Sequence, residues 1–122
     1  ARMSYQKVIL VGQVVHTPQY RKGGDGVIQA TRLQLLTEYP MRNGEVERNY
    51  HTVLAYGNLA DIAQQGIHKG NQVHAEGRLR TRRYKGRDGV ERWATEVIAD
   101  MLDFRGEIDV TEGRSEGSQE AS

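Results

Sequence analysis

The sequence predicts an all-β domain, a five-stranded barrel with one short α-helix between the third and fourth strands. Three features point there. Five stretches rich in Val, Ile, Leu, Thr and aromatic residues alternate with turn segments bearing Gly, Pro, Asn or Asp. One segment alone, 58–67, repeats apolar residues at helical spacing. The apolar phase of the second stretch switches midway, as a strand does when it bends to close a small barrel.

The elements follow in order. Lys7 to Val15 reads as a buried strand in which Gly12 marks a bulge or a close backbone approach. His16 to Gly26 (HTPQYRKGGDG) reads as a loop. Val27 to Leu36 is the second strand, its phase moving from Ile28 and Ala30 to Leu33 and Leu35, with the bend placed near Thr31–Arg32. Thr37 to Glu45 contains Pro40 and the turn pair Asn43–Gly44. Val46 to Tyr56 is the third strand. The helix, Asn58 to Ile67, puts Leu59, Ile62, Ala63 and Ile67 on one side, with Asn58 as its cap and Asp61 near its positive end. Asn71 to Arg82 is the fourth strand, Arg83 to Val90 a loop containing Asp88–Gly89, and Glu91 to Phe104 the fifth. Five strands with a helix after the third is the order of an OB-fold barrel.

The 122 residues suffice for one domain, placed at 1–106, and a short tail at 107–122 that lacks large apolar residues from Thr111 onward and is expected to be disordered. There is no cysteine, which excludes disulfides, thiolate metal sites and cysteine nucleophiles. No apolar run nears the roughly 18 residues of a membrane span, and no signal-peptide pattern opens the chain. A soluble, cytoplasmic protein without membrane contact is expected. The net charge of +1 conceals an asymmetry. Residues 1–106 hold 16 Lys/Arg against 11 Asp/Glu, whereas 107–122 hold one Arg against five acids. Arg78, Arg80, Arg82, Arg83, Lys85, Arg87 and Arg92 fall within fifteen residues, opposed by Asp88 and Glu91. Such a field favours a polyanion, though a charge run also suits a solvated hairpin.

Four stretches resemble the bacterial single-stranded DNA-binding protein family: KVILVGQV (7–14), YHTVLAYGNLADIA (50–63), KGNQVHAEGRLRTRRY (69–84) and WATEVIAD (93–100). The resemblance implies an OB fold, sequence-tolerant binding of single-stranded DNA in replication, recombination and repair, a homotetramer, and a bacterial, nucleoid-associated location. It carries no cofactor. Binding any single strand requires ring faces for bases and cations for phosphates. Tyr50, Tyr56 and Tyr84 match family positions that stack bases, and Tyr39 corresponds more loosely to another. Lys7, Lys69, Arg80, Arg82, Arg83 and Lys85 are the candidate phosphate contacts. Thr52 and Asn58 stand where the family often has cations. His51 and Gln72 match positions that support subunit association. Tyr5 and Tyr20 are read as packing residues, and so is Trp93, the single Trp.

His16, His68 and His74 have no metal-like spacing, so no metal site is expected. No GxSxG, P-loop or HExxH motif is present, and no enzymatic activity is expected. Family members often end in an acidic tip closing with Pro-Phe that recruits replication and repair enzymes; this chain ends SEGSQEAS. Two other readings stay open: a primosome-type OB accessory protein acting mainly through protein contacts, and an OB fold used for protein or saccharide contacts alone.

Overall fold

The structure, a computed structural model, describes residues 3–104. The expected tail at 107–122 lies outside the described residues. The elements are β1 (Val8–Val14), β2 (Gln19–Lys22), β3 (Ile28–Pro40), β4 (Val46–Tyr56), α1 (Gly57–Gly66), β5 (Gln72–Lys85) and β6 (Glu91–Asp103). They pair in the order β1-β5-β6-β4-β3-β2, and β1 also pairs with β3 through Gln13↔Leu36 and Val14↔Leu35. That last pairing closes β1, β3, β4, β6 and β5 into a five-stranded barrel. All pairings are antiparallel except β4 with β6.

The barrel is filled by Val14, Leu33, Leu35, Val53, Ile67, Val73, Ala75 and Val97. Each large aliphatic side chain buried there contributes roughly 1.5–3 kcal/mol. The helix closes one end with Ala60 and Ala63, both buried. Thr31, also inside, is satisfied by donating from Oγ1 to the Ala60 carbonyl at 2.7 Å. Ala30 and Thr31 are consecutive and both buried, so the change of phase falls there. The β2–β3 register slips beside it, between Arg21 and Lys22. Gly12 is a close-approach glycine: a Cβ there would meet the Leu36 carbonyl oxygen where β1 crosses β3.

Three hairpin turns use one device. Asp25, Asn43 and Asp88 each accept, through Oδ1, the N–H two residues on, at 2.9–3.0 Å. Each is followed by a glycine at positive φ: Gly26, Gly44 and Gly89. This Asx–Gly pairing is the turn chemistry that glycine's left-handed φ permits.

Several boundaries differ from the sequence reading. The 16–26 segment is not wholly loop, because Gln19–Lys22 pairs with β3. β3 continues through Thr37 to Pro40, and β5 through Arg83 to Lys85. The helix begins at Gly57 with Tyr56 as N-cap, so Asn58 makes no cap and Asp61 falls beyond the first turn. Ile62 is half exposed rather than packed.

Candidate nucleic-acid interface

Alternation along β4 sends Val53 and Ala55 into the barrel and puts Tyr50, Thr52, Leu54 and Tyr56 on its outer face. The register carries that face across the sheet. Leu54 aligns with Ile98 on β6 and with Arg32 on β3. On the β5–β6 hairpin, Arg80 opposes Glu96, Arg82 opposes Ala94, and Tyr84 opposes Arg92. A cleft opens here, lined by Gln19, Tyr20, Arg21, Ala30, Arg32, Leu54, Tyr56, Arg80, Arg82 and Glu96. Its walls bring four guanidiniums against one carboxylate.

A chain of contacts runs through it. Arg80 Nη2 donates to the Tyr56 hydroxyl at 3.2 Å and to Glu96 Oε1 at 3.0 Å. The Arg80 guanidinium lies 6.0 Å from the Tyr56 ring centroid. Arg82 binds the same carboxylate through Nε, at 3.1 and 3.2 Å, and lies 5.7 Å from the Tyr84 centroid. Both rings therefore carry a cation near their faces. Burial pushes the Glu96 carboxyl up, but hydrogen bonds from Arg82 and Arg80 outweigh it, and its pKa falls below the ordinary 4.5. The carboxylate stays ionised at neutral pH and holds the two arginines in place.

Tyr56, Arg80 and Arg82 of the sequence candidates line the cleft, and Tyr84 joins it through Arg82. Tyr50 shares the outer face of β4 but sits six residues from Tyr56, about 20 Å along the strand. Tyr39 is not on that side. It opposes Glu47, whereas Tyr50 opposes Leu36, so the two rings project from opposite faces of the β3–β4 hairpin. Arg83 and Lys85 lie across the β5–β6 hairpin from Arg82 and Tyr84. Lys7 is engaged elsewhere, its Nζ 3.0 Å from Glu76 Oε1 on the outer side of β1 and β5. That bond raises the lysine's pKa, and, with a second from His74, lowers that of Glu76. Lys69 is in the exposed turn after α1, apart from the cleft lining. His51 Nε2 lies 2.8 Å from Thr37 Oγ1 at the barrel end, and Gln72 opposes Gln13 on the β1–β5 surface.

The sequence reading missed Tyr20, Arg21 and Arg32, all in the cleft. The interleaving of Tyr20 with Arg21 and Lys22 was the available signal, hidden by reading that segment as loop. Trp93 is 66% exposed and so is no packing residue. Among the described residues, no three or more His, Asp or Glu side chains are grouped to hold a metal ion, and no helix is long and apolar enough to cross a membrane.

The model of the single-strand binding protein family matches residues 5–105. The chain belongs to the single-strand binding protein family. Among relatives, it is 38% identical over 120 residues to the single-stranded DNA-binding protein of Neisseria meningitidis serogroup A, covering 95% of this chain and 65% of that one. It is 35% identical over 117 residues to the single-stranded DNA-binding protein of Xanthomonas campestris pv. campestris, covering 91% of this chain and 63% of that one. The chain thus spans less than two thirds of the length of these curated relatives. The fold matches a Plasmodium falciparum SSB solved in complex with ssDNA at a TM-score of 0.73 and 24% identity, over 87% of this chain and 99% of that one. It also matches the small single-stranded DNA-binding protein of Streptomyces coelicolor at a TM-score of 0.64 and 28% identity, over 84% and 95%. The barrel is an OB fold of the kind this family uses.

Proposed function

We propose that the chain binds single-stranded DNA without reading its sequence and protects it during replication, recombination and repair. The observation that carries this is the Tyr56–Arg80–Glu96–Arg82–Tyr84 chain of contacts, which sets two ring faces and two cations on one exposed wall. Unpaired bases stack on such rings whatever their identity, each worth about 1–3 kcal/mol, while the phosphates meet the guanidiniums. A duplex hides its base faces and gains only the charge term. The names of the relatives agree with this chemistry.

The working form is a homotetramer in this reading. Ile9 and Val11 stand exposed on the outer surface of β1, opposite Glu76 and His74 of β5 and in line with the Gln13–Gln72 pair, a mixed apolar and polar surface suited to a second copy. His51 and Gln72 are the interface candidates. Sedimentation of the free protein tests the assembly.

Titration of labelled dT oligonucleotides at several salt concentrations, with a duplex of equal length beside them, tests the binding. Tight, strongly salt-dependent binding to dT and weak binding to duplex is the expected result. Equal affinity for the two, or affinity indifferent to salt, overturns the reading.

A further inference from the structure

We propose that the reverse face of the β5–β6 hairpin, built on Trp93 and Arg83, is a second stacking site for unpaired nucleotides. A strand seated against Tyr84 then turns around the rim of the hairpin and is held on both sides. The inference rests on the single-strand binding proposed above.

The hairpin leaves the barrel as a two-stranded ribbon. Pairing of β1 with β5 ends at Val8↔Gly77, and the Gln6 side chain fills the next place by bonding the Leu79 N–H at 2.8 Å and carbonyl at 3.3 Å. The β4–β6 ladder pairs Val53 with Val97 and Leu54 with Ile98. Beyond these points both faces of the ribbon are open. The front carries Arg82 and Tyr84. The back carries Arg83 and Lys85 on β5, with Glu91 and Trp93 on β6. The two sides repeat one motif. Arg82 lies 5.7 Å from the Tyr84 centroid, and Arg83 lies 5.6 Å from the Trp93 centroid.

An exposed ring alone is ordinary on a protein surface, but this one is paired with a guanidinium in the same arrangement as the ring on the front face. The rest of the back face decides what it contacts. Thr81 and Thr95 are exposed, and Arg83 and Lys85 outnumber Glu91, whose 3.5 Å pair with Arg83 is itself solvent-exposed. The apolar surface is limited to Trp93 and Leu79, two side chains, where a stable protein interface buries about 800 Å² on each partner around an apolar centre. A π face bordered by cations and hydroxyls suits a base and its phosphate.

Trp93 is the single Trp in the chain, so its emission reports this face alone, while the anisotropy of a labelled dT oligonucleotide reports binding anywhere. An oligonucleotide of about 8 nucleotides, within the span of one OB fold, should bind while leaving Trp93 emission and acrylamide access unchanged. One several times longer should quench and shield it. Trp93→Ala should weaken the long oligonucleotide about 5- to 150-fold and leave the short one alone, whereas Tyr84→Ala should weaken both. The thermal midpoint of Trp93→Ala checks that the fold is intact.

The proposal fails if the long oligonucleotide binds with Trp93 as accessible as in the free protein, or if Trp93→Ala binds it normally. It fails also if Trp93 is already shielded in the free protein and Trp93→Ala changes the sedimentation coefficient, since a second copy then occupies the face. A flat anisotropy trace at every length would instead remove the binding function itself.

Discussion

Arg82 grips Glu96 by both carboxylate oxygens, its Nε at 3.1 and 3.2 Å and its Nη2 at 3.1 Å from Oε2. Glu96 is 5% exposed, the one buried carboxylate among the described residues. Arg80 takes the other side of the same group. Two cations that face the cleft are thus oriented by one anion, which also cancels half of their charge. Preorganisation and reduced attraction for phosphate come from the same contact.

The acid limb of the stability curve should carry the signature of this cluster. The Glu96 carboxyl is held below its ordinary 4.5, so the unfolded chain binds that proton more readily than the folded one. Its contribution is fully present above about pH 4.5 and is lost as pH falls through the folded value. Glu96→Gln should flatten that part of the urea-midpoint curve, and Glu96→Ala should cost about 1–3 kcal/mol at pH 7 by stripping both arginines of their partner. A Glu96→Gln curve parallel to wild type down to about pH 3 would remove Glu96 from the account of acid stability.

Salt dependence should separate the arginines that Glu96 discounts from those it does not. Each phosphate neutralised on a single strand contributes about −0.7 to the slope of log K against log salt. Arg32→Ala should make the slope shallower by about 0.7, and Glu96→Gln should make it steeper by a similar amount, because one positive charge is released. If Glu96→Gln leaves the slope where it was, the carboxylate is a scaffold and not a discount on the field.

Ring substitutions should sort by face. Tyr56→Ala should lower affinity about 5- to 150-fold, whereas Tyr56→Phe, which loses only the hydroxyl contact to Arg80, should stay near wild type. Tyr20→Ala should also weaken binding, since that ring lines the same cleft. Because Tyr39 and Tyr50 project oppositely, a short oligonucleotide confined to the front should respond to Tyr50→Ala and not to Tyr39→Ala. Oligonucleotide titrations of the five variants check this, and equal losses at Tyr39 and Tyr50 would mean that the strand already wraps the β3–β4 hairpin.

Part of the barrel core was legible because burial writes alternation into the chain: Leu33 and Leu35 gave the inward phase of their strand, the ranges of the later strands enclosed Val53, Val73 and Val97, and Asn43–Gly44 and Asp88–Gly89 marked their turns. What escaped lies outside the core. Where a hairpin leaves the barrel, both faces meet water, so polar residues such as Arg83 and Lys85 look like loop although they are strand. Gln19–Lys22 has no aliphatic residue and four exposed side chains, and its strand character comes from pairing with β3. Tyr20 was lost with it. The role of Glu96 depends on its register with Arg80 and Arg82, fourteen to sixteen residues away, which no local pattern expresses. Tyr39 illustrates the same limit: its face depended on the β3–β4 register, which pairs it with Glu47.

The projection of the β5–β6 hairpin depends on Gly77. The β5–β6 register slips between Glu76 and Gly77, at the point where β1 stops pairing. A Cβ at Gly77 would strike the Ile98 carbonyl oxygen and lie 2.7 Å from its carbon and 2.9 Å from Ala99 Cα. These are backbone atoms in a paired strand and have little room to move. Gly77→Ala should therefore cost about 1–3 kcal/mol, as overpacking does, and lower the thermal midpoint by roughly 4–8 °C per kcal/mol in a domain of this size. Gly24→Ala is the control. It meets nothing within 4 Å and should shift stability by no more than about 0.5 kcal/mol. Thermal unfolding of the two variants decides the matter. Equal midpoints would mean that the strands separate freely at the slip, and that Gly77 does not fix the angle at which the hairpin carries Arg82 and Tyr84 toward the cleft.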